Sequence, residues 1–125
     1  MTYKYYNNNP NNKKVGDCVI RAISLALGVS WERVFEDLVS IARVQKSVPT
    51  WKDVYFEYLK IYPTINVKYQ DKNGNTKRLT PKLVCDMSGI YIIKVANHLT
   101  VVKEGCLMDI WDCSDKAAYK IWRIK

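Results

Sequence analysis

A chain of 125 residues, 48% hydrophobic and 26% charged, is long enough to bury one real core, too short for two domains, and too apolar to stay disordered. No stretch nears the roughly 18 apolar residues that cross a bilayer, and Met1-Thr2-Tyr3-Lys4-Tyr5-Tyr6 lacks the apolar centre of a secretory signal, so a cytoplasmic, membrane-free protein is expected. The formal charge of +8 suits an acidic partner, but Lys13-Lys14, Lys77-Arg78, Lys116, Lys120, Arg123 and Lys125 are scattered rather than gathered on one arm or helix face, so nucleic acid is not the expected partner.

Residues 1–14 read as a lead-in loop, because Asn7-Asn8-Asn9-Pro10-Asn11-Asn12 is too rich in turn formers for helix or strand. Either a frayed tail or an ordered loop beside a site fits that composition. Residues 15–62 are helical in pattern. A first helix spans about Cys18 to Leu27, with Asp17 as N-cap, Gly28 as its stop, and Val19, Ile20, Ile23 and Leu27 on one apolar face. Ser30 caps a second helix whose Trp31, Val34, Phe35, Leu38, Val39, Ile41 and Ala42 point inward. Thr50-Trp51-Lys52-Asp53 fits a capping box for a third, carrying Val54, Tyr55, Tyr58, Leu59 and Tyr62.

From residue 66 to 125 the period changes to that of strands. Asn66–Tyr69 is a short strand, Lys72-Asn73-Gly74-Asn75 a turn, and Thr80-Pro81 the start of a short helix. Three β-rich runs follow, Gly89–Val95, His98–Lys103 and Cys106–Trp111, joined by turns at Ala96-Asn97 and Glu104-Gly105, and Tyr119–Ile124 closes the chain as a last strand. No repeat or linker marks a boundary, so residues 1–125 read as a single domain. The expected class is α+β, N-terminal helices packed on a C-terminal antiparallel sheet.

The four cysteines, Cys18, Cys85, Cys106 and Cys113, form no CxxC pair, and the lone histidine cannot complete the usual zinc spacings. Free thiols are expected, with no metal and no cofactor. Cys18 stands apart from the other three. At the first turn of a helix, unpaired N–H groups and the positive end of the dipole favour a thiolate, and its own N–H is placed to serve an oxyanion. His98, which opens an apolar β-branched run, would supply the imidazole of a thiolate–imidazolium pair.

A third group must orient that imidazole. If the following hairpin centres on Gly105, His98 sits opposite Asp112; a two-residue turn at 104–105 places Trp111 there, and Asp112 reaches the ring only through a bulge or bend. Asp109 pairs near Thr100 or Val101, further along the hairpin, so Asp112 is preferred. Trp111 is read either as a shield over the acid–histidine bond or as a sheet-face core residue.

The segments Gly16-Asp17-Cys18-Val19-Ile20-Arg21-Ala22-Ile23 and Asn97-His98-Leu99-Thr100-Val101-Val102 with Asp109-Ile110-Trp111-Asp112 resemble the papain-like cysteine peptidase superfamily, in particular small proteins of bacteriophages and their hosts. The spacing from His to Asp also resembles the bacteriocin-processing and Josephin-type branches. The resemblance implies a papain-like fold, Cys18 as nucleophile, His98 as base, Asp112 as orienter, and host cytoplasm as the location of a phage-encoded member. Such enzymes usually carry a glutamine five or six residues before the nucleophile as an oxyanion donor; here Asn12 and Lys13 stand there, leaving Asn12 as the candidate or as an ordinary loop residue. The resemblance is compatible with two functions. One is hydrolysis of a peptide or isopeptide bond in a peptide or protein substrate through an acyl-enzyme thioester. The other is non-catalytic binding, such as phage-type inhibition of an acidic host protein.

Overall fold

The computed structural model describes residues 2–125. Three helices come first: α1 (Cys18–Leu27), α2 (Trp31–Gln45) and α3 (Lys52–Leu59). α1 stops as its sequence requires, with Gly28 in the left-handed region at φ 69° and its N–H donating to the Ser24 carbonyl. Ser30 caps α2, its hydroxyl accepting from the Arg33 N–H at 3.0 Å. Two expectations fail. Asp17 occupies the N-cap position of α1, but its carboxylate makes no capping bond, being engaged by the side chains of Asn9, Arg21 and Trp31. The capping box before α3 does not form either: Trp51 is the N-cap residue, and Asp53 accepts from the Ser47 hydroxyl at 3.1 Å.

The remaining elements are β1 (Tyr3–Tyr5), β2 (Thr64–Ile65), β3 (Lys68–Gln70), β4 (Thr76–Arg78), the short α4 (Pro81–Val84), β5 (Ile90–Val95), β6 (His98–Lys103), β7 (Cys106–Asp109) and β8 (Lys120–Arg123). A six-stranded sheet runs in the order β1-β7-β6-β5-β8-β2, and β3 with β4 makes a separate hairpin. The class is α+β. The sheet, however, is mixed, because β1 lies parallel to β7. The edge of β7 offers a row of unpaired backbone groups, and the lead-in takes it: the Leu107 N–H donates to the Thr2 carbonyl at 2.7 Å and the Tyr6 N–H to the Asp109 carbonyl at 3.0 Å. This corrects both the purely antiparallel expectation and the reading of residues 1–14 as loop throughout.

Alternation along the central strands divides the core into two faces. Ile90, Ile92, Leu99, Val101 and Trp122 pack under Ile20, Ile23, Val34, Leu38 and Leu59 of the helices. Ile93, Val95, Val102, Leu107 and Ile121 face the other way, covered by Val84, Cys113 and Ala118. Full withdrawal of such a side chain contributes about 1.5–3 kcal/mol, which anchors α1 on the sheet. Phe35, expected inward, is 38% exposed and stacks on Trp31, with ring centroids 5.4 Å apart.

The turn between β6 and β7 sets the register of the whole hairpin. Glu104 and Gly105 have φ of 50° and 80°, the pair of left-handed conformations of a two-residue hairpin turn, and they pair Lys103 with Cys106 and Val102 with Leu107. Among the described residues no helix is long and apolar enough to cross a membrane.

Candidate active site

Cys18 is the first residue of α1 and His98 the first of β6, so the packing of α1 on β6 through Ile20, Ile23, Leu99 and Val101 carries the thiol to the imidazole. The two side chains border one cleft of about 530 Å³ and lie near enough for each to shift the other's acidity; the cleft also exposes parts of Trp51, Lys52, Tyr55 and Lys94.

The orienting acid is Asp109. His98 Nε2 lies 2.6 Å from Asp109 Oδ2, and the Thr100 hydroxyl donates to the same oxygen at 2.7 Å. Asp112 is exposed beyond the end of β7 and accepts only from the Ser114 N–H, at 3.1 Å, which corrects its expected role. The physical reason is register. With the two-residue turn, residues 107 and 109 share the face of residues 98, 100 and 102, and the strand ends at Asp109, so residue 112 lies beyond the ladder. Counted on in the same register, Asp109 lies opposite Thr100, whose hydroxyl donates to it, and reaches His98 as a diagonal neighbour, a distance that long or aromatic side chains bridge. Trp111 meets the imidazole edge-on, centroids 4.9 Å apart, with 41% of its own surface exposed, so it covers the ring rather than filling a core.

Behind the acid lies a buried polar network that ties the lead-in, α1 and the sheet together. Arg21 Nε donates to Asp17 Oδ1 at 2.8 Å and Arg21 Nη1 to Asp109 Oδ1 at 3.1 Å, with all three side chains buried. Asp17 Oδ2 accepts from the Asn9 amide and the Trp31 indole, each at 2.9 Å. Asn9 in turn accepts from the Asn11 and Lys13 N–H groups, which folds the asparagine-rich lead-in into an ordered loop against α1. This network, rather than the helix end, satisfies the carboxylate of Asp17.

The electrostatics single out one thiol. Burial opposes a charged Cys18, yet the His98 hydrogen bond, the Leu99 backbone and the nearby positive charges together hold its pKa below the usual thiol value. Burial likewise opposes a charged His98, but the bonds to Asp109 and Cys18 outweigh it and raise the ring from 6.5 to about 9. Asp109 ionises more readily than an ordinary carboxylic acid despite its burial, because His98, Thr100 and Arg21 all favour its charge. Burial pushes the Cys113 thiol up to about 12, with Asp109 adding to it, and burial raises Cys85 as well. Cys18 and His98 thus each favour the charged form of the other, a thiolate beside an imidazolium.

Asn12 does not join them. It is exposed, sits in a left-handed turn at φ 56°, and its side-chain oxygen faces the Asn7 amide at 3.5 Å. The oxyanion role expected of it is not supported by this placement. Tyr55 borders the cleft instead, and burial together with the Cys18 charge keeps its hydroxyl protonated up to about 12.

His98, Asp109 and Cys113 place ligand-type atoms within 4.8 Å of one another. The set is ill suited to a metal ion. Both Asp109 oxygens already accept from His98, Thr100, Arg21 and the Ile110 N–H, and a guanidinium at 3.1 Å would repel a dication.

The chain matches no protein-family model, no curated protein and no solved structure. The site residues that the sequence pattern does not reveal are Asp109 as orienter, Thr100 and the lysines of the cleft. Arg21 does leave a signal: a lone arginine inside the apolar run Val19-Ile20-Arg21-Ala22-Ile23 must find buried counter-charges.

Proposed function

We propose that this protein is a cysteine-dependent acyl hydrolase of papain-like type, cleaving a peptide or isopeptide bond in a peptide or protein substrate. The observation that carries the reading is a single imidazole bonded to a buried carboxylate and sharing one cleft with a thiol at a helix start, whose acidity it raises. The Cys18 thiolate attacks the carbonyl carbon, and the carbonyl electron pair moves to oxygen. The Cys18 N–H and the Tyr55 hydroxyl are the donors available to that oxyanion. As the carbon–nitrogen bond breaks, His98 gives its Nδ1 proton to the departing amine, leaving a thioester. Water then attacks the thioester while His98 takes its proton. Release of the carboxylic acid restores thiolate and imidazolium. Asp109 keeps Nε2 occupied throughout, so that Nδ1 faces the sulfur.

Alkylation with iodoacetamide at about pH 6, followed by peptide mapping, tests the reading, because only a thiolate reacts well there. Cys18 is expected to be labelled ahead of Cys85, Cys106 and Cys113, and His98→Ala to abolish that lead. If Cys18 reacts no faster than the others, or if His98→Ala leaves its rate unchanged, the catalytic reading is wrong, and binding of an acidic partner becomes the better account of the charge.

A further inference from the structure

Apart from the Cys18 sulfur itself, the cleft has a one-sided charge. The chain holds 12 acidic residues, yet none borders this opening, whereas Lys52, Lys94 and His98 all do. Strand parity explains Lys94. Ile90 and Ile92 of β5 face the helices, so Lys94 does too, paired across the ladder with Leu99 next to the histidine. Lys52 opens α3 on the far side of the same cleft.

Neither ammonium belongs to an ion pair among the described residues, and Lys94 Nζ reaches only the Val95 carbonyl, at 3.4 Å. The sheltered Arg21 is by contrast matched by two carboxylates, and His98 by Asp109. Lys94 is half-buried with no carboxylate partner, and burial together with Lys52 outweighs the opposing Cys18 charge and makes it easier to deprotonate than a free lysine. A sheltered, unmatched cation is unfavourable, and an incoming anion would offset that penalty. The exposed Trp51 offers apolar wall for the rest of a bound chain.

We infer that this cleft selects acyl substrates carrying a carboxylate close to the reacting carbonyl, received by Lys94 and Lys52. The inference rests on the hydrolase reading and names its substrate class. The carboxylate belongs either to an acidic side chain or to a chain terminus.

The test compares Cys18 alkylation by iodoacetate, which is an anion, with alkylation by neutral iodoacetamide. Both reagents react with the same thiolate, so their ratio cancels any change in thiolate fraction. Lys94→Gln and Lys52→Gln are each expected to lower the ratio of iodoacetate to iodoacetamide rates by about five-fold. Lys82→Gln, an exposed lysine outside the cleft, controls for overall charge. A ratio unmoved in both cleft variants, or lowered equally by Lys82→Gln, overturns the inference.

Protection against iodoacetamide at matched concentration then separates the sources of the carboxylate. Slowing by Ac-Ala-Glu-Ala-NH2 names a side chain, and slowing by Ac-Ala-Gln-Ala-OH names a terminus. Equal protection by neutral Ac-Ala-Gln-Ala-NH2, or none by any of the three, counts against the proposal. A wild-type Cys18 that shows no lead over the other thiols sinks the hydrolase reading itself. A leading Cys18 with an unmoved ratio sinks only this inference.

Discussion

Replacing Asp109 by asparagine is the sharpest perturbation of the site, because it keeps the shape and changes only the charge and one acceptor. Asp109 is 2% exposed and accepts four hydrogen bonds, two on each oxygen. An amide has one acceptor oxygen. Left on the Arg21 and Ile110 side, that oxygen directs the amide nitrogen at His98 Nε2, which must then accept, moving the ring's single proton to Nδ1. Turned the other way, the amide nitrogen confronts two donors. Either arrangement removes the anion that favours the charged ring. The span from 6.5 to about 9 for His98 corresponds to a net preference for imidazolium of roughly 3 kcal/mol, which Asp109 and Cys18 together supply against burial. Losing the Asp109 share, with burial still acting, leaves a neutral imidazole and an ordinary thiol. The second-order rate of Cys18 alkylation by iodoacetamide, followed by peptide mass spectrometry from acid to alkaline pH, reads this directly. At about pH 6 the rate is expected to fall about ten-fold or more in Asp109→Asn, recovering as the pH passes the normal thiol range. A profile for Asp109→Asn that superimposes on the wild type, with the fold intact by circular dichroism, refutes the assignment.

Asp112→Asn is the matched control: its exposed carboxylate touches only the Ser114 N–H, so the Cys18 rate should stay within about two-fold of wild type. Arg21→Met strands two buried carboxylates without their shared cation and should cost about 3–5 kcal/mol in urea unfolding; a loss below about 1 kcal/mol would mean that the bridge does not hold α1 to the sheet. The pH dependence of stability combines two opposed slopes. The raised pKa of His98 gives stabilisation that is complete below 6.5 and lost as pH rises through about 9, whereas the lowered pKa of Cys18 gives stabilisation present above the free thiol value and lost as pH falls. Where both act, the native pair and the unfolded pair hold the same number of protons, so the wild-type urea midpoint should be nearly level. Cys18→Ser removes one slope, and its midpoint should decline from pH 6.5 upward; a level profile for the variant would contradict the ion pair.

Much of this site can be read in the chain. Gly28 and the apolar spacing of residues 19–27 bound α1, and with it place Cys18 at a helix start, because helix ends obey local rules of capping and backbone freedom. The run His98–Lys103 is bounded by its turns in the same way. The acid that holds His98 is not legible. Glu104-Gly105 permits a turn of either length, and the choice between them turns every later residue of the hairpin over. A non-glycine residue at φ 50° for Glu104 is tolerated only where the flanking ladder holds it, which no local pattern reveals. Diagonal reach across a ladder, by which Asp109 meets His98, is hidden for the same reason. The strand at Tyr3–Tyr5 depends on a partner a hundred residues away, and Asp17 is drawn from its capping role by Arg21, Asn9 and Trp31, contacts that exist only once the chain is folded.

The sequence by itself determined the α+β class, a thiol at the start of a buried helix and a histidine at the start of a central strand. These depend on periodicity and on residues adjacent in the chain. Only the tertiary structure decided which acid holds the histidine, that Arg21 joins Asp109 to Asp17, and that two lysines border the cleft beside the sulfur. Each of those depends on strand register and on which way a side chain leaves its sheet, and both are settled by packing between segments far apart in the chain.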